Sequence, residues 1–167
     1  MKGVIVGIII ILLLLVGGYF AYNYFTFGQV NIYIQDPPRQ SSSSVTIYLV
    51  VSSVMLHKVN ATGNPWVTVS NKTVIVKLSS NATFLASARV PAGEYNEVFL
   101  EVKQAIVQIG NTNVTATLPS GVFKIHITGG MKLSGGSTEN LIIELPGVHF
   151  TDGEIIINPS VTAYVQG

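Results

Sequence analysis

The chain has 167 residues, of which 48% are hydrophobic and only 10% charged; it has no cysteine and a formal net charge of +1. Charged residues fill about a quarter of an ordinary soluble domain, so the deficit is large. From residue 24 onward eight Lys or Arg oppose eight Asp or Glu, which argues against a basic nucleic-acid binder. The missing cysteines exclude disulfide scaffolds, thiol catalysis and thiolate metal sites together.

The first element runs from Val4 to Tyr22, 19 residues without a charge. As a helix this stretch would be about 29 Å long, close to the roughly 30 Å of a bilayer core. The expected division is a cytoplasmic end at residues 1–3, a transmembrane helix at 4–24, a short linker at 25–28 and an extracellular domain at 29–167. Lys2 precedes the apolar run and should stay cytoplasmic, so the remainder crosses. Tyr19, Phe20, Tyr22, Tyr24, Phe25 and Phe27 crowd the outer end like an interfacial belt. A cleaved signal peptide would have a shorter apolar core and an A-x-A site, and neither is present. Prepilin-type processing at Lys2-Gly3 is the other cleaved alternative. An uncleaved anchor, with the lipid bilayer as its partner, is the expectation.

Past residue 28 the apolar period becomes two and β-branched residues dominate. Val30, Ile32 and Ile34 alternate with Asn31 and Tyr33. Residues 45–59 read as a long strand with a bend at Ser52-Ser53. Strands follow at 66–69, 73–78 and 83–90, then a turn at Pro91-Ala92-Gly93. Residues 94–109 form a second long strand, with Val98, Leu100 and Val102 on one face and Phe99, Glu101 and Lys103 on the other. Gly110-Asn111 turns into 113–118, and Pro119-Ser120-Gly121 turns into 122–128. Gly129-Gly130 and Gly135-Gly136 lead to 138–145. Asp152-Gly153 precedes a last strand at 154–165, whose Pro159 suggests an edge or bulge. Residues 37–44 (PPRQSSSS) read as an exposed loop. About ten strands with frequent turns predict an all-β, two-sheet antiparallel sandwich of immunoglobulin or prealbumin type behind one transmembrane helix.

Four N-x-S/T sequons lie at Asn60, Asn71, Asn81 and Asn113, while Asn158-Pro159-Ser160 is blocked by proline. Ten Asn and 27 Ser/Thr in residues 24–167 give roughly two sequons by chance, so four is an excess. All four adjoin turn signals, and N-linked glycans on an extracellular face are expected there. The scarcity of charge fits an acidic exterior: a surface of Ser, Thr, Asn and Gln does not swing positive as carboxylates protonate. Secondary structure should then persist from pH 7 towards pH 3; unfolding well above pH 3 contradicts this.

Residues 29–165 resemble a family of extracytoplasmic domains of unknown function found in archaea and bacteria. The likeness rests on the 30–34 strand with Asp36-Pro37, the strand ending near His57, the Trp66 strand and Leu78. It continues through Val90-Pro91-Ala92-Gly93-Glu94-Tyr95, the strand at 97–102, Leu118-Pro119-Ser120-Gly121 and the closing strand. Asp36-Pro37-Pro38 stands where that family has Asp-Ala-Pro. The resemblance implies a lone β-sandwich on an anchor and no known activity. Low charge, sequons and absent cysteine together look like an archaeal cell-surface protein.

Chemistry-bearing constellations are sparse. His57, His126 and His149 lack the close spacing of a metal site. Glu97 and Glu101 share a strand face, but an i, i+4 pair on a strand is about 13 Å apart by rise, too far for paired acid/base work. Asp152-Gly153-Glu154 is a turn signal before it is a calcium site. No nucleophile elbow, phosphate loop or zinc-protease motif occurs. Trp66 with Tyr33, Tyr48 and Tyr95 could form a carbohydrate platform, although a core position for the tryptophan is the stronger expectation. No cofactor and no enzyme activity are expected. Two functions remain: a non-catalytic binding or structural module, as accessory subunit of a membrane or cell-envelope complex, or a pilus-like filament subunit. The filament would assemble by helix packing or by strand addition through the segment at 25–34. Gly7, Gly17 and Gly18 could seat partner helices.

Overall fold

The structure is a computed structural model describing residues 1–36, 45–116, 118, 120–145, 149–152, 154–156 and 161–167. The loop expected at 37–44, Pro119, Gly153, Pro159 and the blocked sequon at 158–160 lie outside the described residues.

An uninterrupted apolar sequence rich in Ile and Leu forms α1, Lys2–Thr26, with no buried residue. It passes straight into β1, Phe27–Gln35. Residues 25–28, read from the sequence as a linker, thus divide between the last turn of α1 and the start of β1. The strands that follow are β2 (Val45–Lys58), β3 (Trp66–Ser70), β4 (Val74–Lys77), β5 (Thr83–Pro91), β6 (Gly93–Ile109) and β7 (Thr112–Ala116). Then come β8 (Val122–Leu133), β9 (Thr138–Glu144), β10 (His149–Thr151), β11 (Glu154–Ile156) and β12 (Thr162–Val165). Period-two alternation explains them: Val30, Ile32 and Ile34 on β1 and Val98, Leu100 and Val102 on β6 are buried, while their neighbours face outward. The expected final strand at 154–165 is two short strands, β11 and β12.

Architecture departs from the two-sheet antiparallel sandwich. One hydrogen-bonded path runs β3-β2-β6-β8-β12-β9-β1-β5, with β4 added on β2 and β7 on β6, while β10 and β11 form a separate pair. The sheet is mixed, because β1 pairs β9 in parallel and β12 pairs β8 in parallel. Its two ends approach each other, β3 and β4 packing beside β5, so the whole is a nearly closed barrel. The reason lies in β8. Between Tyr95 and Glu97 of β6 the register jumps from Met131 to His126, leaving residues 127–130 of β8 unpaired with β6. Gly129 and Gly130, at φ 75° and 69°, permit that excursion. Within it Ile127 pairs Ala163 of β12, and one strand thereby serves both halves.

The core is the inner wall of this barrel, built from Ile32, Leu49, Leu56, Leu100, Ile125, Ile127, Leu141 and Ile143 with their neighbours. Among the described residues Ser52 is the buried polar one, at an irregularity in the β2–β6 register, so the expected bend is a bulge within a continuous strand. Phe27–Gln35 is held by β5 on one side and β9 on the other. That internal position corrects the strand-addition form of the filament reading, since the proposed donor segment already completes its own sheet.

Candidate functional site

The most elaborated polar geometry lies where α1 meets the barrel. The last carbonyls of a helix lack intrahelical donors, and here the β domain supplies them. Phe27 N–H and the Arg89 guanidinium (3.0 Å) both donate to the Asn23 carbonyl. Ala92 N–H donates to the Thr26 carbonyl at 2.7 Å, and Gly136 N–H to the Phe27 carbonyl at 2.9 Å. The last turn of α1 has no basic residue, so Arg89 brings from β5 the positive charge that a helix C-terminus favours. The turn between β8 and β9 closes against the helix end. A Cβ on Gly135 would sit 2.1 Å from the Phe25 carbonyl oxygen, and one on Gly136 2.4 Å from the Tyr24 ring.

The turn from β5 to β6 is pinned from beneath. Tyr95 is fully buried, and its hydroxyl donates to the Pro91 carbonyl at 2.6 Å. Burial pushes its ionisation up to about 12. The Pro-Ala-Gly-Glu-Tyr segment therefore positions Ala92 for the helix end.

Around the joint, Tyr19, Phe20, Tyr22, Tyr24 and Phe25 are exposed, with edge-to-face contacts between Tyr19 and Phe20 and between Tyr24 and Phe25. The 25 residues of α1 span about 37 Å, some 7 Å beyond a bilayer core of about 30 Å. By length and composition α1 can cross a membrane. Added Cβ atoms at Gly7, Gly17 and Gly18 would meet nothing within 4 Å beyond the backbone of their own helix.

The two outer walls of the barrel differ in chemistry. On β5, β1, β9 and β12 the row is amide-rich, with few charges. Gln29 Nε2 donates to Ser87 Oγ, Ser87 Oγ to Asn31 Oδ1 (2.7 Å), and Asn31 Nδ2 to Asn140 Oδ1 (3.0 Å). Nearer the far end, Gln35 Nε2 and the Tyr164 hydroxyl both donate to Glu144 Oε1, at 2.6 and 3.2 Å. Desolvation, then the charge of Glu144, raises the Tyr164 ionisation. On β3, β2, β6 and β8 the row is aromatic and charged. Trp66, His57, Glu97 and His126 lie in register across it. The Trp66 ring meets His57 at 4.9 Å and Phe99 at 5.8 Å, and Lys124 Nζ lies 5.8 Å from its centroid. His57 Nδ1 donates to Asn96 Oδ1 at 2.7 Å.

Trp66 is thus half-buried on the outer wall and not a core anchor. Strand parity carried that signal: Val67 and Val69 point inward, placing Trp66, Thr68 and Ser70 outward. The expected aromatic platform does not assemble either. Tyr33 pairs with Phe84 on the other wall, Tyr95 is buried, and Tyr48 is half-buried on β2. Among the described residues no group of three His, Asp or Glu is placed to hold a metal ion. Asp152, at φ 54°, lies where β10 turns into β11. Asn60, Asn71, Asn81 and Asn113 are all exposed. Asn60 follows β2 at φ 55°, Asn71 separates β3 from β4, Asn81 precedes β5, and Asn113 lies on β7 opposite Gln108.

These features define a single, mostly β domain carried on one apolar helix. The chain belongs to the DUF4382 family, a domain of unknown function, whose match covers residues 27–159 and so begins at the first residue of β1. No curated protein matches. A solved structure of a candidate cell adhesion protein from Bacteroides eggerthii DSM 20697 is similar at TM-score 0.42 and 11% identity, over 84% of this chain and 54% of that one. Another, from Bacteroides ovatus ATCC 8483, is similar at TM-score 0.28 and 10% identity, over 85% of this chain and 46% of that one. The chain spans about half the length of each.

Proposed function

We propose that this protein is a single-pass cell-surface module whose α1 stays in the bilayer, with Lys2 cytoplasmic and the β domain extracellular. It works by binding or assembly, as an accessory subunit of a membrane or envelope complex, and not by catalysis. The observation that carries this reading is the joint. Asn23, Tyr24 and Phe25 follow the apolar run directly, and Arg89, Gly136 and Gly135 engage them, so the helix end is seated on the β domain. A cleavable leader has no need of such a seat. The exposed aromatic belt and the charge-poor surface support the same placement.

Intact-mass analysis of native protein extracted from membranes with mild detergent tests it. A mass that includes residues 1–26, in a fraction resistant to carbonate washing, is expected; loss of the helix overturns the anchor. The same extraction, followed by mass spectrometry, should recover the chain with stoichiometric partners, and recovery as a lone monomer overturns the accessory-subunit reading. N-linked glycosylation at Asn60, Asn71, Asn81 and Asn113 belongs to the proposal, supported by the exposure of all four side chains. Mass lost on enzymatic deglycosylation is the expected sign.

A further inference from the structure

The barrel leaves strand edges open. The hydrogen-bonded path begins at β3 and ends at β5, and although β3 and β4 pack beside β5, no ladder joins them among the described residues. β7 likewise pairs only with β6 there. Unpaired edges are templates for strand addition by another chain. Among the described residues, three of the four exposed large apolar side chains of the β domain lie in these places, Val122 on β8 being the fourth. Ile75 on β4 is 62% exposed and Phe84 on β5 54%, on the two sides of the open seam, and Ile109, also exposed, pairs with Thr112 of β7.

Ordinary guards are few. β3 and β4 are short, at 5 and 4 residues, Leu85 is an extra residue in the β5 register against β1, and Lys77 and Arg89 are the charges on β4 and β5. Three sequons stand beside the same edges. Asn71 is the first residue after β3, in the connection to β4. Asn81 precedes β5, and its acceptor Thr83 is the first residue of that strand. Asn113 and its Thr115 are exposed on β7 itself. Asn60 differs, lying in the connection from β2 to β3 at the strand ends.

We propose that N-linked glycans on Asn71, Asn81 and Asn113 cover the open edges of the barrel and the exposed Ile75, Phe84 and Ile109, blocking strand pairing between copies. The idea rests on the glycosylation reading above. A glycan is bulky and strongly hydrated, and at these positions it excludes a second backbone from the edge without altering the barrel.

The test uses the full chain from a glycosylating host, in detergent. Intact mass reads occupancy, and sedimentation reads self-association. The folded protein after enzymatic deglycosylation, and the Asn71→Gln/Asn81→Gln/Asn113→Gln variant, should self-associate at a concentration at least about tenfold lower than the glycosylated chain. Asn60→Gln should behave as the parent does. Adding Ile75→Thr and Phe84→Thr to the triple variant should restore the monomer. Absence of glycan from the three sites in native protein overturns both this proposal and the glycosylation reading at those sites. Occupied sites whose removal leaves association unchanged overturn edge protection alone. Enzymatic removal from folded protein keeps the test valid if the triple variant does not fold.

Discussion

Where α1 enters the barrel, β5, the β5–β6 turn and the β8–β9 turn all close on the last turn of the helix; where β3 and β4 face β5, no ladder joins them among the described residues. The joint is over-determined, with donors for the Asn23, Thr26 and Phe27 carbonyls and glycines where a methyl group would not fit. The seam is held more sparsely, with Thr83 Oγ1 donating to the Lys77 carbonyl at 3.2 Å across it, and it leaves Ile75 and Phe84 in the open. Substitutions at the joint should therefore strain backbone, whereas substitutions at the seam should change what the molecule sticks to.

The largest expected effect is at Gly135. Gly135→Ala places a methyl against the Phe25 carbonyl, and overpacking against backbone costs about 3 kcal/mol. A fall in Tm of roughly 6–12 °C by circular dichroism checks it; an unchanged Tm would mean the helix end is not seated there. Next comes the alkaline limb of stability. Folded Tyr95 loses its proton near 12 and the unfolded residue near 10, so the folded chain holds that proton more tightly. Its contribution is whole below pH 10 and is lost as pH rises towards 12, and solvent screening keeps it below the roughly 3 kcal/mol that the full shift would carry. Denaturant titrations between pH 9 and 12 should show this loss, and Tyr95→Phe should remove that part of it.

A smaller effect is expected on the aromatic wall. Trp66→Ala removes two edge-to-face contacts and the Lys124 contact, worth about 1–2 kcal/mol together. As the sole tryptophan, Trp66 also reports on this wall by its own emission, which Lys124→Ala should shift. Smallest is the seam: Ile75→Thr, at an exposed site, should move stability by less than about 0.5 kcal/mol. A larger loss would show that the seam bears on the fold after all.

Much of this was legible in local pattern. Alternation at 30–34 and 97–103 placed the correct side chains inward, and the apolar run placed α1. Partner and direction were not legible, because a period of two is the same for a strand paired parallel or antiparallel. That is why the β1–β9 pairing and the near closure of the barrel differ from the expected sandwich. Gly129-Gly130 and Gly135-Gly136 were visible as a glycine-rich stretch. Their roles depend on Tyr95, Phe25 and Tyr24, far back along the chain, and spacing cannot disclose such partners. For Trp66 residue type points to the core, whereas strand parity, with Val67 and Val69 on the opposite face, points outward and prevails.

The continuity of α1 with β1 also decides how the molecule bears tension. A pull on the domain away from its helix travels along β1, which is laced to β5 from Phe27↔Pro91 to Ile34↔Thr83 and to β9 from Gln29↔Thr138 to Gln35↔Glu144. Inter-strand hydrogen bonds run across the strand axis, so two ladders are loaded in shear and many bonds must give together. An edge strand in that position would share the same load over one ladder instead of two.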